Sequence, residues 1–116
     1  MVKTVMVVDD DPDIRDSVGQ ILRKIGYDVI NAVSGDDCLE KLQSEKPDLI
    51  LMDIHMPGTP IRAVVRKITN IKIIYLTIVA MPDAEKMGLL EPKNVVGFIS
   101  KPFNVNDLIR TVKENI

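Results

Sequence analysis

Residues 4–12, Thr-Val-Met-Val-Val-Asp-Asp-Asp-Pro, join a run of β-branched and apolar residues to three acids and a proline. A run like that from Thr4 to Val8 is typical of a strand buried on both faces, as in a parallel sheet. Asp11 is a favourable N-cap residue, and Pro12 suits the first position of a helix. The stretch therefore predicts a buried strand, an acidic turn and a helix, which together begin an α/β unit.

The alternation of strand and helix continues along the chain. Further strands are predicted over residues 28–32, 49–52, 71–76 and 95–99. Helices are predicted over residues 12–25, from a Ser34 cap to before Pro47, over 61–68 and 82–90, and after an Asn104 cap. Five strands alternating with five helices predict a doubly wound α/β fold, with a five-stranded parallel sheet and helices on both faces.

Polar residues follow four of the five predicted strands. Asp9 and Asp10 follow the first strand, Asp53 the third, Thr77 the fourth and Lys101, closely, the fifth. Each has an ordinary explanation by itself: a turn or cap for an aspartate, β-propensity for a threonine, and a solvated surface position for a lysine. In doubly wound sheets, however, ligands bind outside the carboxyl ends of the strands. We therefore expect these five residues to surround one site.

The chemistry of this residue set indicates a hard cation and an anion. Neighbouring carboxylates repel one another by about 4 kcal/mol per close pair at an intermediate dielectric, so they must protonate or bind a cation. Oxygen ligands suit Mg2+, whereas a zinc site within a chain holding one cysteine and one histidine is implausible. Lys101 and Thr77 suit a phosphoryl group. An aspartate can act as a nucleophile and form an acyl phosphate. Asp53 is the best candidate, because it is on the middle one of the three strands that carry the key groups.

Four motifs together carry a family resemblance: VVDDD (7–11), LILMDIHMPG (49–58), YLT (75–77) and GFISKPF (97–103). With them the sequence resembles, over its whole length, the receiver domains of two-component response regulators, and in particular single-domain chemotaxis regulators. The resemblance implies a flavodoxin-like sheet with strand order 2-1-3-4-5. It also implies one receiver domain over residues 1–116, with no output domain in this chain.

The resemblance implies a role for each acid at the site. Asp53 accepts a phosphoryl group from a histidine on a partner, which is a histidine kinase or a histidine phosphotransfer protein. Mg2+ binds to Asp10, Asp53 and the backbone carbonyl of His55, with Asp9 as a direct or water-mediated ligand. The protein is then a phosphoacceptor with at most slow self-dephosphorylation, and not an enzyme in the usual sense.

The resemblance also implies how the phosphoryl group is sensed. Thr77 and Lys101 contact the phosphoryl oxygens. Phe98 occupies the position of an aromatic that swings inward as the threonine moves, which changes the affinity for a downstream target protein. Pro102 occupies the position of a cis proline.

The chain departs from the family pattern in four places. Pro60 and Ile61 stand where an Asp-Gly pair is common, and Ile78 stands where a small residue usually follows the threonine. The connection over residues 69–71 is short, and residues 91–94 replace a turn of small residues. These departures bear on the rate of phosphorylation and on the docking face, and not on the fold.

Several other classes of protein are disfavoured by composition. A net charge of -2 lacks the basic footprint of a nucleic-acid binder, so we expect no direct binding of nucleic acid. No targeting segment or apolar run of about 18 residues occurs, which favours a cytoplasmic protein without a membrane partner. Cys38 is alone and cannot form an intramolecular disulfide. A monomer or weak dimer is expected.

Rival functions on the same fold remain. One is an interaction module that is not phosphorylated; the intact acid set argues against it, and Ile78 argues weakly for it. A flavodoxin-like carrier would need a phosphate loop rich in glycine and hydroxyl groups after the first strand, where this chain has acids. A dedicated aspartyl phosphatase would need an acid two residues after its nucleophile, where His55 stands.

Overall fold

The computed structural model describes residues 2–116. Strands and helices alternate along the chain, in agreement with the sequence prediction. The strands are β1 (Thr4–Val8), β2 (Asp28–Ala32), β3 (Leu49–Met52), β4 (Lys72–Thr77) and β5 (Val95–Ser100). The helices are α1 (Pro12–Lys24), α2 (Gly35–Lys41), α3 (Ile61–Arg66), α4 (Met81–Lys86) and α5 (Val105–Asn115).

The strands form one parallel sheet in the order β2-β1-β3-β4-β5. This order confirms the predicted flavodoxin-like topology. The chain moves outward in one direction from β1 to β2 and in the other from β3 to β5, so the order reverses between β1 and β3. Val8 pairs with Met52 at the ends of these strands. The residues that follow, Asp9 and Asp53, therefore emerge side by side at the point where such sheets bind ligands.

Helices cover both faces of the sheet and enclose two hydrophobic cores. Successive residues of β1 point to opposite faces: Val5 and Val7 pack towards α1 and α5, whereas Met6 and Val8 pack towards α2, α3 and α4. We call these the α1/α5 layer and the α2–α4 layer. The sheet is thus buried on both sides, which explains the near-continuous apolar runs of its central strands.

Side chains cap the N-termini of three of the five helices. Asp11 caps α1 by accepting the N–H of Asp13, and Asn104 caps α5 by accepting the N–H groups of Asn106 and Asp107. Ser34 caps α2 in the same way. In contrast, neither α3 nor α4 has a side-chain cap at its N-terminus.

Three helices end two or more residues earlier than the sequence predicts. The helix capped by Ser34 ends at Lys41, whereas the sequence predicts that it continues to just before Pro47. The helix predicted over residues 82–90 begins at Met81 and ends at Lys86, because Gly88 adopts φ +73°, a left-handed conformation that ends a helix. The helix predicted over residues 61–68 ends at Arg66. Within residues 2–116, no helix has the length and apolar character needed to cross a membrane.

Candidate functional site

The backbone carries the hydrogen-bonding pattern of the sheet one residue past β1 and β3. The N–H of Asp9 donates to the carbonyl of Ala32 at 3.1 Å, and the N–H of Asp53 donates to the carbonyl of Val8 at 3.0 Å. Both acids are therefore held at the sheet edge and buried, with 2% and 5% of their surface exposed. Buried carboxylates are costly without partners, so their surroundings decide what they do.

Three carboxylates converge at this edge. One oxygen from each of Asp9, Asp10 and Asp53 lies within 4.8 Å of the others. Asp10, unlike its two neighbours, is exposed to solvent. An all-oxygen set with one open side fits a hard divalent cation that keeps several waters, as Mg2+ does. The structure thus brings together the acids that the sequence predicted to meet.

Lys101 reaches into the acid cluster from the end of β5. Its Nζ lies 2.6 Å from Oδ2 of Asp9 and 3.4 Å from Oδ2 of Asp53. Its backbone N–H donates to the carbonyl of Thr77 at 2.8 Å, and the peptide bond to Pro102 is cis, the isomer implied by the family resemblance. Burial alone would lower the pKa of Lys101, but the bond to Asp9 and the charge of Asp53 outweigh it and raise that pKa. The lysine is therefore a fixed positive charge.

Asp9 is engaged on both carboxylate oxygens. Oδ2 accepts from Lys101, and Oδ1 accepts the backbone N–H of Asp11 at 2.9 Å. Burial raises the pKa of Asp9 because loss of hydration outweighs these bonds, and the nearby charge of Asp53 acts in the same direction. Removal of Lys101 would leave this buried acid with one backbone hydrogen bond and no positive partner.

A cavity of 440 Å³ opens above these groups. Its apolar lining comes from Ile14, Ile78 and Pro102. Its polar lining comes from the four groups just described, together with two further residues: Asp9, Asp10, Asp53, Lys101, Asp11 and His55. Ile78 is 68% exposed, the largest exposure among the big apolar side chains of residues 2–116. A charged floor under a partly apolar rim suits a small anionic group presented by a larger molecule.

Two predicted sensing residues lie outside this cavity lining. Thr77 is fully buried at the end of β4, and its Oγ1 accepts the N–H of Val79 at 3.2 Å. Phe98 is half-buried on the face of the sheet towards the α2–α4 layer. It packs edge-on against Tyr75, with ring centroids 6.2 Å apart. The hydroxyl of Tyr75 donates to the carbonyl of Leu89 at 2.7 Å, which links β4 to the segment after α4.

The loop between β3 and α3 brings His55 to the cavity. The backbone N–H of His55 donates to Oδ1 of Asp53 at 3.1 Å, and the residue is exposed. Further along the loop, the Thr59 hydroxyl donates to Oδ1 of Asp36 at 2.6 Å. This bond lowers the pKa of Asp36 and ties the loop to α2. Sequence reasoning missed the contact because it joins residues far apart in the chain.

Sequence reasoning also missed two residues of α1. Ile14 was assigned only to the apolar stripe of the helix, yet it lines the cavity. Arg15 was not singled out, yet its Nη1 donates to the backbone carbonyl of Asp9 at 2.7 Å. A cation near the N-terminal end of a helix opposes the helix dipole. That conflict was the available signal for Arg15.

Comparison with known proteins agrees with this architecture. The sequence profile of the response regulator receiver domain matches residues 5–113. Among solved structures, the chemotaxis response regulator CheY4 of Vibrio cholerae is 29% identical, with a TM-score of 0.88 and complete coverage of both chains. A CheY-like receiver domain protein from Methanospirillum hungatei is 30% identical over 98% of this chain and 93% of its own, with a TM-score of 0.85.

A third similar structure was solved with ligands. The response regulator TrrA from Thermotoga maritima, in complex with Mg2+ and BeF, is 31% identical over 99% of this chain and all of its own, with a TM-score of 0.83. The profile match spans nearly the whole chain, and the strand order and acidic pocket agree with it. The chain therefore belongs to the family of response regulator receiver domains of two-component signalling.

Proposed function

We propose that this receiver domain accepts a phosphoryl group on Asp53 from a phosphohistidine of a partner protein, with Mg2+ held by the neighbouring acids. The observation that carries the proposal is the convergence of three carboxylates and one lysine on a single open cavity. Three separate strands deliver these groups to it. A structural role alone does not require three acids there, because their mutual repulsion lowers stability.

The proposed reaction transfers a phosphoryl group between two side chains. An oxygen of the Asp53 carboxylate attacks phosphorus, a P–O bond forms, and the P–N bond to the partner's imidazole breaks with its electron pair returning to nitrogen. Charge builds on the three phosphoryl oxygens in a loose transition state, so catalysis depends on positioning and on electrostatic stabilisation. Mg2+, when bound by Asp9, Asp10, Asp53 and the His55 carbonyl, supplies neutralising charge for those oxygens.

Lys101 has a second part in the proposal. Its ammonium contacts both Asp9 and Asp53, at 2.6 Å and 3.4 Å. When Asp53 carries a phosphoryl group, the same ammonium is within reach of the new oxygens. Lys101 then exchanges its Asp53 contact for a phosphoryl contact, while Asp9 continues to anchor it. The side chain therefore reports the charge state of Asp53.

The switch that follows involves Thr77 and Phe98. The Thr77 hydroxyl, now bonded to the Val79 N–H, turns to a phosphoryl oxygen, and the vacated space admits Phe98. Exposed apolar side chains lie on α4, β5 and α5 or directly beside them, namely Met81, Met87, Val96 and Val105. We propose that the downstream target protein docks on this α4–β5–α5 face and that phosphorylation shifts the equilibrium between its two states.

The central experiment is phosphorylation by acetyl phosphate and Mg2+, followed by intact-mass analysis. We expect one phosphoryl group, lost on treatment with hydroxylamine, as an acyl phosphate should be. Asp53→Asn should abolish the uptake. Asp16→Asn is the matched control, because Asp16 is an exposed acid of α1 outside the cavity lining. Equal uptake by Asp53→Asn and the unmodified protein would contradict Asp53 as the acceptor.

The rival is a receiver-like interaction module that is never phosphorylated. It predicts no mass increase with acetyl phosphate or with any phosphohistidine donor. It also predicts partner binding that is unchanged when Asp53 is replaced by asparagine. A partner that binds the phosphorylated and unmodified proteins equally would favour this rival.

A further inference from the structure

Arg15 lies behind the acid cluster rather than in the cavity. It is in the first turns of α1, half-buried, and it is not among the residues that line the cavity. Long helical side chains point back towards the helix N-terminus, which brings this guanidinium to the turn after β1. Its Nη1 donates to the backbone carbonyl of Asp9 at 2.7 Å.

The Arg15 guanidinium contacts this carbonyl although several carboxylates lie nearby in the sequence. Five aspartates lie within six residues of Arg15, at positions 9, 10, 11, 13 and 16. Yet across residues 2–116 the structure gives Arg15 no carboxylate partner within 4.0 Å. A surface charge pair therefore does not explain its orientation. The guanidinium instead holds one particular peptide group.

That peptide joins Asp9 to Asp10. Because a peptide is planar, holding its carbonyl oxygen restricts the orientation in which Asp10 leaves it. The following peptide is held too, since the N–H of Asp11 donates to Oδ1 of Asp9 at 2.9 Å. The N–H of Asp9 is itself bonded to Ala32. Both peptides that flank Asp10 are thus restrained by contacts that converge on Asp9.

Asp10 has no such restraint on its own side chain. It is exposed, and within residues 2–116 its carboxylate accepts no hydrogen bond. Its place in the acid cluster depends on its backbone. Two of the contacts that hold this backbone are charge-assisted, the one from the Arg15 guanidinium and the one to the Asp9 carboxylate, and charge-assisted bonds are the stronger kind.

We propose that Arg15 is a positioning residue for the cation site: it orients the Asp9–Asp10 peptide so that the Asp10 carboxylate meets those of Asp9 and Asp53. This inference rests on the proposed binding of Mg2+ to these acids. Loss of the guanidinium has two effects of opposite sign. Removing a nearby positive charge strengthens the binding of a cation, whereas releasing Asp10 weakens it. Positioning predicts that the second effect dominates.

The test is calorimetric titration of metal-free protein with Mg2+. Arg15→Met should bind Mg2+ about tenfold more weakly, equivalent to about 1.4 kcal/mol. Arg15→Lys, which keeps the charge and one donor, should lose less. Arg23→Met is the matched control: it removes the same charge from an exposed site on the same helix, about 12 Å further along its axis. It should bind Mg2+ at least as tightly as the unmodified protein.

A double-variant cycle separates positioning from a general loss of structure. Once Asp10 is replaced by asparagine, the additional Arg15→Met change should have little effect on Mg2+ affinity, because nothing remains to be positioned. A full, additive loss in the double variant overturns the proposal. So does Mg2+ binding by Arg15→Met that equals or exceeds that of the unmodified protein. If Arg15→Met does not fold, Arg15→Gln carries the same cycle.

Different results would contradict the role of Arg15 and the Mg2+ site on which it rests. If Asp10→Asn binds Mg2+ as tightly as the unmodified protein, the assigned metal site is wrong. If Asp10→Asn loses affinity while Arg15→Met does not, the metal site stands and only the role of Arg15 is wrong.

Discussion

The two helical layers of this protein differ in the length of their helices and in the capping of the helix N-termini. In the α1/α5 layer, α1 has 13 residues and α5 has 11, and a side chain caps the N-terminus of each. In the α2–α4 layer, α2 has seven residues and a side-chain cap, whereas α3 and α4 have six residues each and no side-chain cap. Helices of 11 to 13 residues are close to the length at which an isolated helix becomes marginal, and helices of six or seven residues are far below it. The second layer therefore depends on tertiary packing far more than the first.

This difference coincides with a division within the site. The turn that carries Asp9 and Asp10 leads directly into α1, and Lys101 lies just before α5. Thr77 and Ile78, by contrast, lead into the short α4. Asp9, Asp10 and Lys101 thus adjoin the better-stabilised layer, whereas Asp53 and the sensing residues adjoin the weaker one. A switch needs an element of low local stability, which the α2–α4 layer supplies.

Hydrogen exchange offers the largest expected contrast. Amides of α4 (Met81–Lys86) should exchange at least about a hundredfold faster than those in the middle of α1 (Pro12–Lys24), a gap of about 2.8 kcal/mol in opening free energy. Exchange followed by NMR or mass spectrometry measures this directly. Equal protection of the two helices would remove the basis of the comparison.

The next effect concerns Ile78 at the mouth of the cavity. Isoleucine is stiff at χ1 and cannot easily turn aside, so it should narrow the approach to Asp53 for donors and for attacking water. Ile78→Ala should speed both acetyl-phosphate labelling and its decay, and a tenfold gain needs only about 1.4 kcal/mol of relieved barrier. Fold stability should change little, because 68% of this side chain is exposed.

A matched control for Ile78 is available on the β2–α2 connection. Val33 is also β-branched and is 50% exposed, but it does not line the cavity. Val33→Ala should leave both rates unchanged. If Ile78→Ala also leaves them unchanged, Ile78 does not restrict access, and its size needs another explanation.

Removal of a cap tests the local stability of the α1/α5 layer. Asn104→Ala deletes the acceptor for two backbone N–H groups of α5 and should cost about 1 kcal/mol of unfolding free energy. In the opposite direction, Ala80→Ser adds a cap to α4, whose N-cap residue already has extended backbone geometry. It should stabilise the protein. Urea unfolding at constant m-value reports both changes, and a neutral result for Asn104→Ala would count against the role of capping.

The smallest expected effect is on the melting temperature, where substitutions of the two acids of the β1–α1 turn should act in opposite directions. Asp10→Asn removes a charge that has no partner in residues 2–116, so it should raise the melting temperature of the metal-free protein by about 2–4 °C, as expected for roughly 0.5 kcal/mol. Asp9→Asn should lower it, because Lys101 loses its closest partner. Thermal melts in chelator compare the two. Stabilisation by both variants would mean that the Lys101 contact contributes little.

Much of this architecture could be predicted from local sequence patterns. The apolar runs specified the strands, and Asp11-Pro12 and Asn104 specified two helix starts, because strand burial and helix capping depend on residues close together in the chain. The positions of Asp9, Asp10, Asp53 and Lys101 followed from one topological rule, that the carboxyl ends of parallel strands share an edge. The endpoint of α4 was missed because the conformation of Gly88 depends on its surroundings.

Only the tertiary structure decided which charged groups pair with one another and which of them are buried. The sequence gives no distances, so it could not show that Lys101 lies nearer to Asp9 than to Asp53, or that Asp10 stays exposed while its neighbour is buried. The sequence also could not show the contact of Arg15 with Asp9 or that of Thr59 with Asp36. Each depends on side-chain reach and burial after the layers have packed, whereas the sequence pattern determines only which residues arrive at the edge.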